Sequence, residues 1–270
     1  MTDNSTMFNP IVKNLTTIPN LLIITIPIYI LGLYATYHFF TDFTTTKLIY
    51  FVLGYFFFNI IGVTAGLHRY FSHKSFKASK WKERLMLLAA TTAGQGQPLF
   101  WVALHRGYHH KFADKEEDPH SPIHGFWHSF FLWMFRLKAE SISLKSSFEL
   151  IRNKDVMFCS KRYREIFLIF HAGVALISLE AFLYFSMMAC CISLVTYNLT
   201  NSINHYRSLG YTNFQTRDNS TNVPWIWPVV LGECWHNNHH ARPGEYYFGQ
   251  KWWELDPAGF FIKLFKNNEK

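Results

Sequence analysis

Two stretches, Leu21 to Phe40 and Leu48 to Leu67, run 20 residues each without one Asp, Glu, Lys or Arg, and they limit the possible folds more than anything else in the chain. At about 1.5 Å per residue, a helix of that length covers about 30 Å, the thickness of a bilayer's hydrocarbon core. Only helices and closed barrels satisfy their own backbone polar groups in hydrocarbon, so both stretches read as membrane-spanning helices. The third apolar block, Ile166 to Asn204, is too long for one span and carries Glu180 near its middle, where a carboxylate is costly. A turn at Ser178 to Glu180 resolves it into a hairpin of spans over 163–179 and 181–204.

Two shorter apolar stretches decide the sidedness of everything after them. Leu85 to Trp101 is interrupted by Gly94, Gln95, Gly96, Gln97 and Pro98, and Phe126 to Leu137 is too short to cross. Both read as interfacial segments. The expected architecture is a single domain over 1–270: an all-α integral membrane protein with four transmembrane helices in two hairpins. The segments 68–162 and 205–270 then form a helical cap on one side. Of 26 lysines and arginines, only Lys13 precedes the first span and only Lys47 lies between the first two. The positive-inside rule therefore makes the cap and both termini cytoplasmic. The net charge of +8 is mostly this bias, so no nucleic-acid partner is expected.

Nine of the 14 histidines fall into four groups, all within the cap: His68 and His73; His105, His109 and His110; His205; and His236, His239 and His240. Imidazole is the commonest metal ligand, and nine nitrogens exceed the usual four to six sites of one first-row ion, so two ions are the economical reading. On a regular helix His236, His239 and His240 share a face, as do His105 and His109, while His110 lies about 100° away toward a neighbouring ion. His68 and His73 are about 140° apart on a straight helix, so both can bind only if the helix ends or bends between them. Asp118 and Glu233 are candidates to accept the second N–H of bound imidazoles. His120, His124 and His128, spaced four apart, could share a helical face near the site. His38 and His171 read as interfacial and packing residues.

Other signals exclude alternatives. The first 19 residues lack a basic start leading directly into an apolar core, and the N-terminus is expected to be retained. Cys159, Cys190, Cys191 and Cys234 show no CxxC spacing, and the topology places them in a span or facing a reducing compartment, so disulfides are not expected. The Asn-x-Ser/Thr matches at Asn4, Asn14, Asn198 and Asn219 fall in the cytoplasm or a span, where glycosylation does not occur. No glycine-rich nucleotide fingerprint is present, so electrons for redox chemistry would come from another protein.

The motifs in order are HRYFSH after the second span, WVALHRGYHH followed by DKEEDPHSP, NSINH closing the fourth span, and GECWHNNHH followed by ARPGEYYFG. From about Gly54 to near the C-terminus this pattern resembles the membrane-bound fatty acyl desaturases of the stearoyl-CoA desaturase type. The resemblance implies a cytoplasmic di-iron centre held by His68, His73, His105, His109, His110, His205, His236, His239 and His240, with Asn201 approaching one iron through water. It also implies O2 as co-substrate and a cis double bond, near the delta-9 position, formed in a saturated acyl chain carried by coenzyme A or a lipid. The electron donor would be an external protein of ferredoxin or cytochrome type, since only about thirty residues follow the last box. By position in the family, Gln97 and Trp101 would touch substrate.

Two positions depart from the family pattern. Three residues separate His105 from His109, where animal acyl-CoA desaturases usually have two, and Asn198 stands where relatives often carry an aromatic. Fold and metal do not fix reaction outcome, so a lipid hydroxylase is the alternative reading. A metal transporter or storage protein would carry its ligands near the bilayer midplane rather than outside the spans.

Overall fold

The computed structural model describes residues 20–267. The expectations concerning the first 19 residues, including Asn4 and Asn14, lie outside the described residues. Within them the chain is helical, with only two isolated β-bridges, Tyr211 to Asn222 and Asn222 to Trp235.

Three helices are long and apolar enough to cross a membrane: α1 (Leu21–Thr41), α2 (Thr45–Ser72) and, later in the chain, Leu179–Ile203. Between α1 and α2 the chain reverses at Thr44, whose hydroxyl accepts the Lys47 N–H at 3.2 Å, while the Lys47 ammonium pairs with the Asp42 carboxylate at 2.7 Å. After a turn through Ser75, α3 (Lys80–Thr92) runs back along α2. The two approach closely because position 62 is glycine: a Cβ there would lie 2.6 Å from the Ala89 carbonyl carbon. Most of the 85–101 stretch is consequently packed inside the protein, with Leu87, Ala89, Ala90, Leu99 and Trp101 all buried.

Gly94 (φ 77°) and Gly96 (φ 94°) make the left-handed turn that leads into α4 (98–112), which begins on Pro98. The helix α5 (128–136) buries Ser129 and Trp133 and leaves Leu132 and Phe135 exposed, with Trp127 exposed just before it, as an amphipathic surface segment would. The histidines that precede it do not share one helical face. Pro122–His124 is a single tight turn, Gly125 at φ 95° breaks the chain, and His128 starts a new helix.

Next come α6 (Lys154–Lys161) and α7 (Tyr163–Ile177). With 15 residues, α7 is about 22 Å long, shorter than the other three apolar helices. Ser178 ends it and caps α8 (Leu179–Ile203), its hydroxyl accepting the Ala181 N–H at 3.1 Å. Gly54 lets α8 press onto α2, since a Cβ there would lie 2.0 Å from the Phe185 carbonyl oxygen. The C-terminal part holds a short helix, α9 (His236–Ala241), and then α10 (Pro257–Phe265), N-capped by Asp256 through the Gly259 N–H at 3.0 Å.

Candidate metal centre

All nine grouped histidines meet where α2, α4, α8 and α9 converge, and they sort into two sets. His68, His73, His105, His110 and His239 form one; His109, His205, His236 and His240 form the other. In the first set the Nε2 atoms of His68 and His239 lie 2.8 Å apart, those of His73 and His105 2.9 Å, and those of His110 and His239 2.9 Å. In the second set, His205 and His236 present Nε2 atoms 3.1 Å apart, and Nε2 of His109 and of His240 is buried without a partner among the described residues. Two imidazoles bound at about 2.1 Å and about 90° to one ion hold their nitrogens about 3.0 Å apart. The donor set thus fits two metal ions, one per group.

The sorting differs from the regular-helix expectation in two places. His105 shares a group with His110, not His109, and His239 leaves the company of His236 and His240. Backbone geometry explains the first. The His110 N–H donates to the His105 carbonyl, and the His73 N–H to the His68 carbonyl at 3.1 Å. Such i→i+5 turns are wider than an α-turn and stack residues five apart. The same widening brings His68 and His73 together, where a straight helix would separate them.

Four carboxylates face the Nδ1 atoms behind this cluster. Glu233 meets His68 at 2.8 Å, Asp118 meets His109 at 3.0 Å, Asp114 meets His205 at 3.1 Å and Asp218 meets His240 at 2.8 Å. Each holds the Nδ1 proton and so turns the Nε2 lone pair inward. Asp118 and Glu233 are the two carboxylates that the sequence offered as partners for bound imidazoles. Asp114 and Asp218 were not singled out; no spacing rule marks them, because their loops meet the histidines only in three dimensions.

Electrostatics follow from burial. Burial first, then the neighbouring imidazoles, holds His73, His105, His110, His236 and His239 well below the ordinary histidine range and brings His240 to about 4 despite Asp218. Neutral imidazoles are the form that binds metal. Burial would raise Glu233, but His68 and Arg69 outweigh it and bring the carboxyl to about 2. Burial opposes, and His240 and Ser220 achieve, a similar lowering of Asp218.

A further layer locks the frame. Arg69 is fully buried, bonding Glu233 at 2.7 Å and Asp256 at 2.6 Å, and it lies 3.7 Å over the Phe248 ring. Phe248 in turn stacks on His239 with centroids 4.3 Å apart. In α9, the Asn238 amide oxygen accepts from Asn213 and Asn222, and its nitrogen donates to the Phe248 carbonyl and Glu254. Asn237 ties the same helix to Asn213, Phe214 and Ser220. These two asparagines, unmarked by sequence reasoning, anchor the strand of chain that carries three of the nine histidines.

His120 is buried beside His109 and shares its partner Asp118, whereas His124 and His128 bond Glu116 and the Pro119 carbonyl. His171 is buried and bonds the Thr92 carbonyl at 2.9 Å, and His38 packs between Tyr34 and Tyr37. Gln97 and Trp101 both line a cavity enclosing about 750 Å³, open mouth included, among Leu21, Phe100, Trp133 and Leu194. A second, smaller cavity runs from His68, His105 and His236 between α2 and α8, past Asn201, whose buried amide nitrogen has no hydrogen-bond partner among the described residues. Trp101 and Tyr197 line both cavities, and Trp101 stacks on His105 with centroids 4.9 Å apart.

Fold and site together define an all-helical protein with membrane-length apolar helices and a buried polyhistidine cluster at one end of its bundle. The model of the fatty acid desaturase family matches residues 43–259, and the chain belongs to that family. It is 33% identical over 217 residues to the delta-9 acyl-lipid desaturase 2 of Arabidopsis thaliana, covering 76% of this chain and 67% of the relative. It is 35% identical over 209 residues to the sn-1 stearoyl-lipid 9-desaturase of Synechocystis sp., covering 76% and 64%. It is 33% identical over 212 residues to the sn-2 palmitoyl-lipid 9-desaturase of Nostoc sp., covering 77% and 74%. Family membership makes the chain an oxidoreductase of fatty acyl groups.

Proposed function

We propose that the protein is a di-iron, O2-dependent desaturase that places a cis double bond at the delta-9 position of a saturated acyl chain esterified to a membrane lipid. The observation that carries this reading is the convergence of nine histidines into two groups of metal-ligand spacing beside an apolar cavity. His68, His73, His105, His110 and His239 would hold one iron. His109, His205, His236 and His240 would hold the other, with Asn201 at hand for a bound water. Iron supplies the O2 activation and redox steps that cleavage of unactivated C–H bonds requires, and an external ferredoxin or cytochrome would supply the electrons.

The chain's own residues bind, orient and exclude water. The larger cavity's apolar wall would take the acyl chain, and Trp101 and Tyr197, shared by both cavities, would set which carbons lie against the histidines. Buried neutral imidazoles and their carboxylate partners keep the donor atoms fixed and unprotonated. The names of the relatives above favour a lipid-linked acyl group and position 9.

Four spans with the histidine side cytoplasmic remain the topology we favour. Tyr163 starts α7 against the larger cavity, its hydroxyl accepting the Gly96 N–H at 3.0 Å, and α8 starts at the other end of α7 and returns to the histidines. That path supports α7 as a spanning helix despite its length, and lysine and arginine placement supports the sidedness.

Expression in a desaturase-deficient host, with fatty-acid profiling and double-bond location, tests the function. New 9-monounsaturated chains that disappear in His239→Ala are expected. Unchanged acyl composition from iron-loaded protein would refute it, and hydroxylated chains would point to the oxygenase alternative.

A further inference from the structure

We propose that the two metal positions are unequal, and that the group formed by His109, His205, His236 and His240 binds its ion more tightly and fills first. This inference rests on the di-iron reading above.

The asymmetry lies in the charges behind the ligands. Three of the four histidines in that group donate an Nδ1–H hydrogen bond to a carboxylate: His109 to Asp118, His205 to Asp114 and His240 to Asp218. In the group of five, only His68 does so among the described residues, and the Glu233 carboxylate it meets is also paired with the Arg69 guanidinium at 2.7 Å. Nδ1 of His105 and of His239 is buried with no hydrogen-bond partner among the described residues. A carboxylate on Nδ1 makes Nε2 a stronger donor, and its negative charge offsets that of a buried dication. Arg69 cancels that second effect at Glu233.

Each of the three aspartates is itself held in place. Asp114 accepts the Asn219 N–H at 2.6 Å, Asp118 the His120 N–H at 3.2 Å and Asp218 the Ser220 N–H at 3.0 Å. Asp114 also adopts a left-handed backbone (φ 61°), a conformation that costs a non-glycine residue energy and persists where surrounding contacts demand it. The opposing effect is the fifth imidazole of the other group. That donor is neutral, whereas one outer partner of a bound histidine typically changes metal affinity about 10–100-fold, and three act together here.

The test is anaerobic Fe(II) titration of metal-free, full-length protein against a competing chelator. Wild type should bind two ions in steps separated by at least tenfold. His73→Ala, which damages the group of five, should keep the tight step, and His205→Ala should lose it. Asp114→Asn and Asp218→Asn should each weaken the first step about 10–100-fold and spare the second. Asparagine also tolerates the left-handed backbone, so Asp114→Asn isolates charge from strain. Should the variants fail to fold, anomalous scattering from wild type loaded with one equivalent of iron locates the first ion. Two indistinguishable steps, or a first ion found in the group of five, would overturn the inference and leave the di-iron reading standing. Wild type binding one ion or none would overturn both.

Discussion

Replacing Glu233 by Gln removes one negative charge from a buried charge network while keeping its shape. Glu233 accepts from His68 at 2.8 Å and from Arg69 at 2.7 Å, and Arg69 has no exposed surface. A carboxyl lowered from 4.5 to about 2 prefers its ionised form by about 3 kcal/mol more when folded than when unfolded. Because the folded value is the depressed one, this stabilisation is complete above the unfolded value and is lost only as pH falls toward 2. At pH 7 the substitution therefore removes all of it. A second route gives the same size: stripping one partner from a buried ion pair costs about 3–5 kcal/mol, and the low end applies because Arg69 keeps Asp256 and the Tyr246 carbonyl. At about 2–4 °C per kcal/mol for a chain of this size, the unfolding midpoint of metal-free protein in detergent should fall by about 6–12 °C. Iron retention against a chelator should weaken about 10–100-fold at the group containing His68. A midpoint lowered by less than about 2 °C, with unchanged iron retention, would refute the claim that Glu233 both neutralises Arg69 and orients His68.

Asn238→Ala should abolish stable expression or metal loading, since it strands the buried Asn222 amide nitrogen and Phe248 carbonyl at about 1–3 kcal/mol each; metal content of the purified variant checks this. Gly62→Ala should destabilise by about 1–3 kcal/mol, read from thermal unfolding, because the new methyl meets Ala89 backbone rather than a side chain able to turn away. Trp101→Ala removes a wall shared by both cavities and should change the chain lengths or double-bond positions among the products, measured by chromatography of the host's fatty acids. Metal-free protein should lose stability as pH falls from about 6.5 toward 4, because the unfolded chain takes up protons that buried imidazoles such as His240 refuse; unfolding midpoints at pH 7.5 and 5.5 give the comparison.

Sequence reasoning located the long helices and the members of the histidine cluster because both are written in local composition: uncharged runs of membrane length and imidazoles at short spacing. It placed Glu233 and Asp118 behind histidines from the chemistry of bound imidazole. It passed over Asp114 and Asp218 because the contacts that give them meaning span 91 residues to His205 in one case and 22 residues to His240 in the other. Asn237 and Asn238 were hidden for a similar reason: they lie between ligand candidates in HNNHH, but their partners sit on loops at 213–222 and 248–254. The 163–179 segment shows a different limit. Its apolar run continues into the next helix, so hydropathy could mark a hairpin but not how many residues each arm would keep.

The division of nine donors into five and four follows from turn type. In HNNHH the helix is regular, so His236 and His240, four apart, fall in one group and His239 faces the other. In HRYFSH and HRGYHH the turns are widened to i→i+5, so His68 with His73 and His105 with His110 fall in one group. Had α4 kept regular turns through the second box, His105 would have stacked on His109 and carried it toward the group of five, leaving His205, His236 and His240 one donor short. The widened turn frees His109 to meet Asp118 and complete the second group. The third residue between His105 and His109 is thus accommodated, because the pair that the backbone stacks is His105 and His110, and the spacing that matters in this box is five.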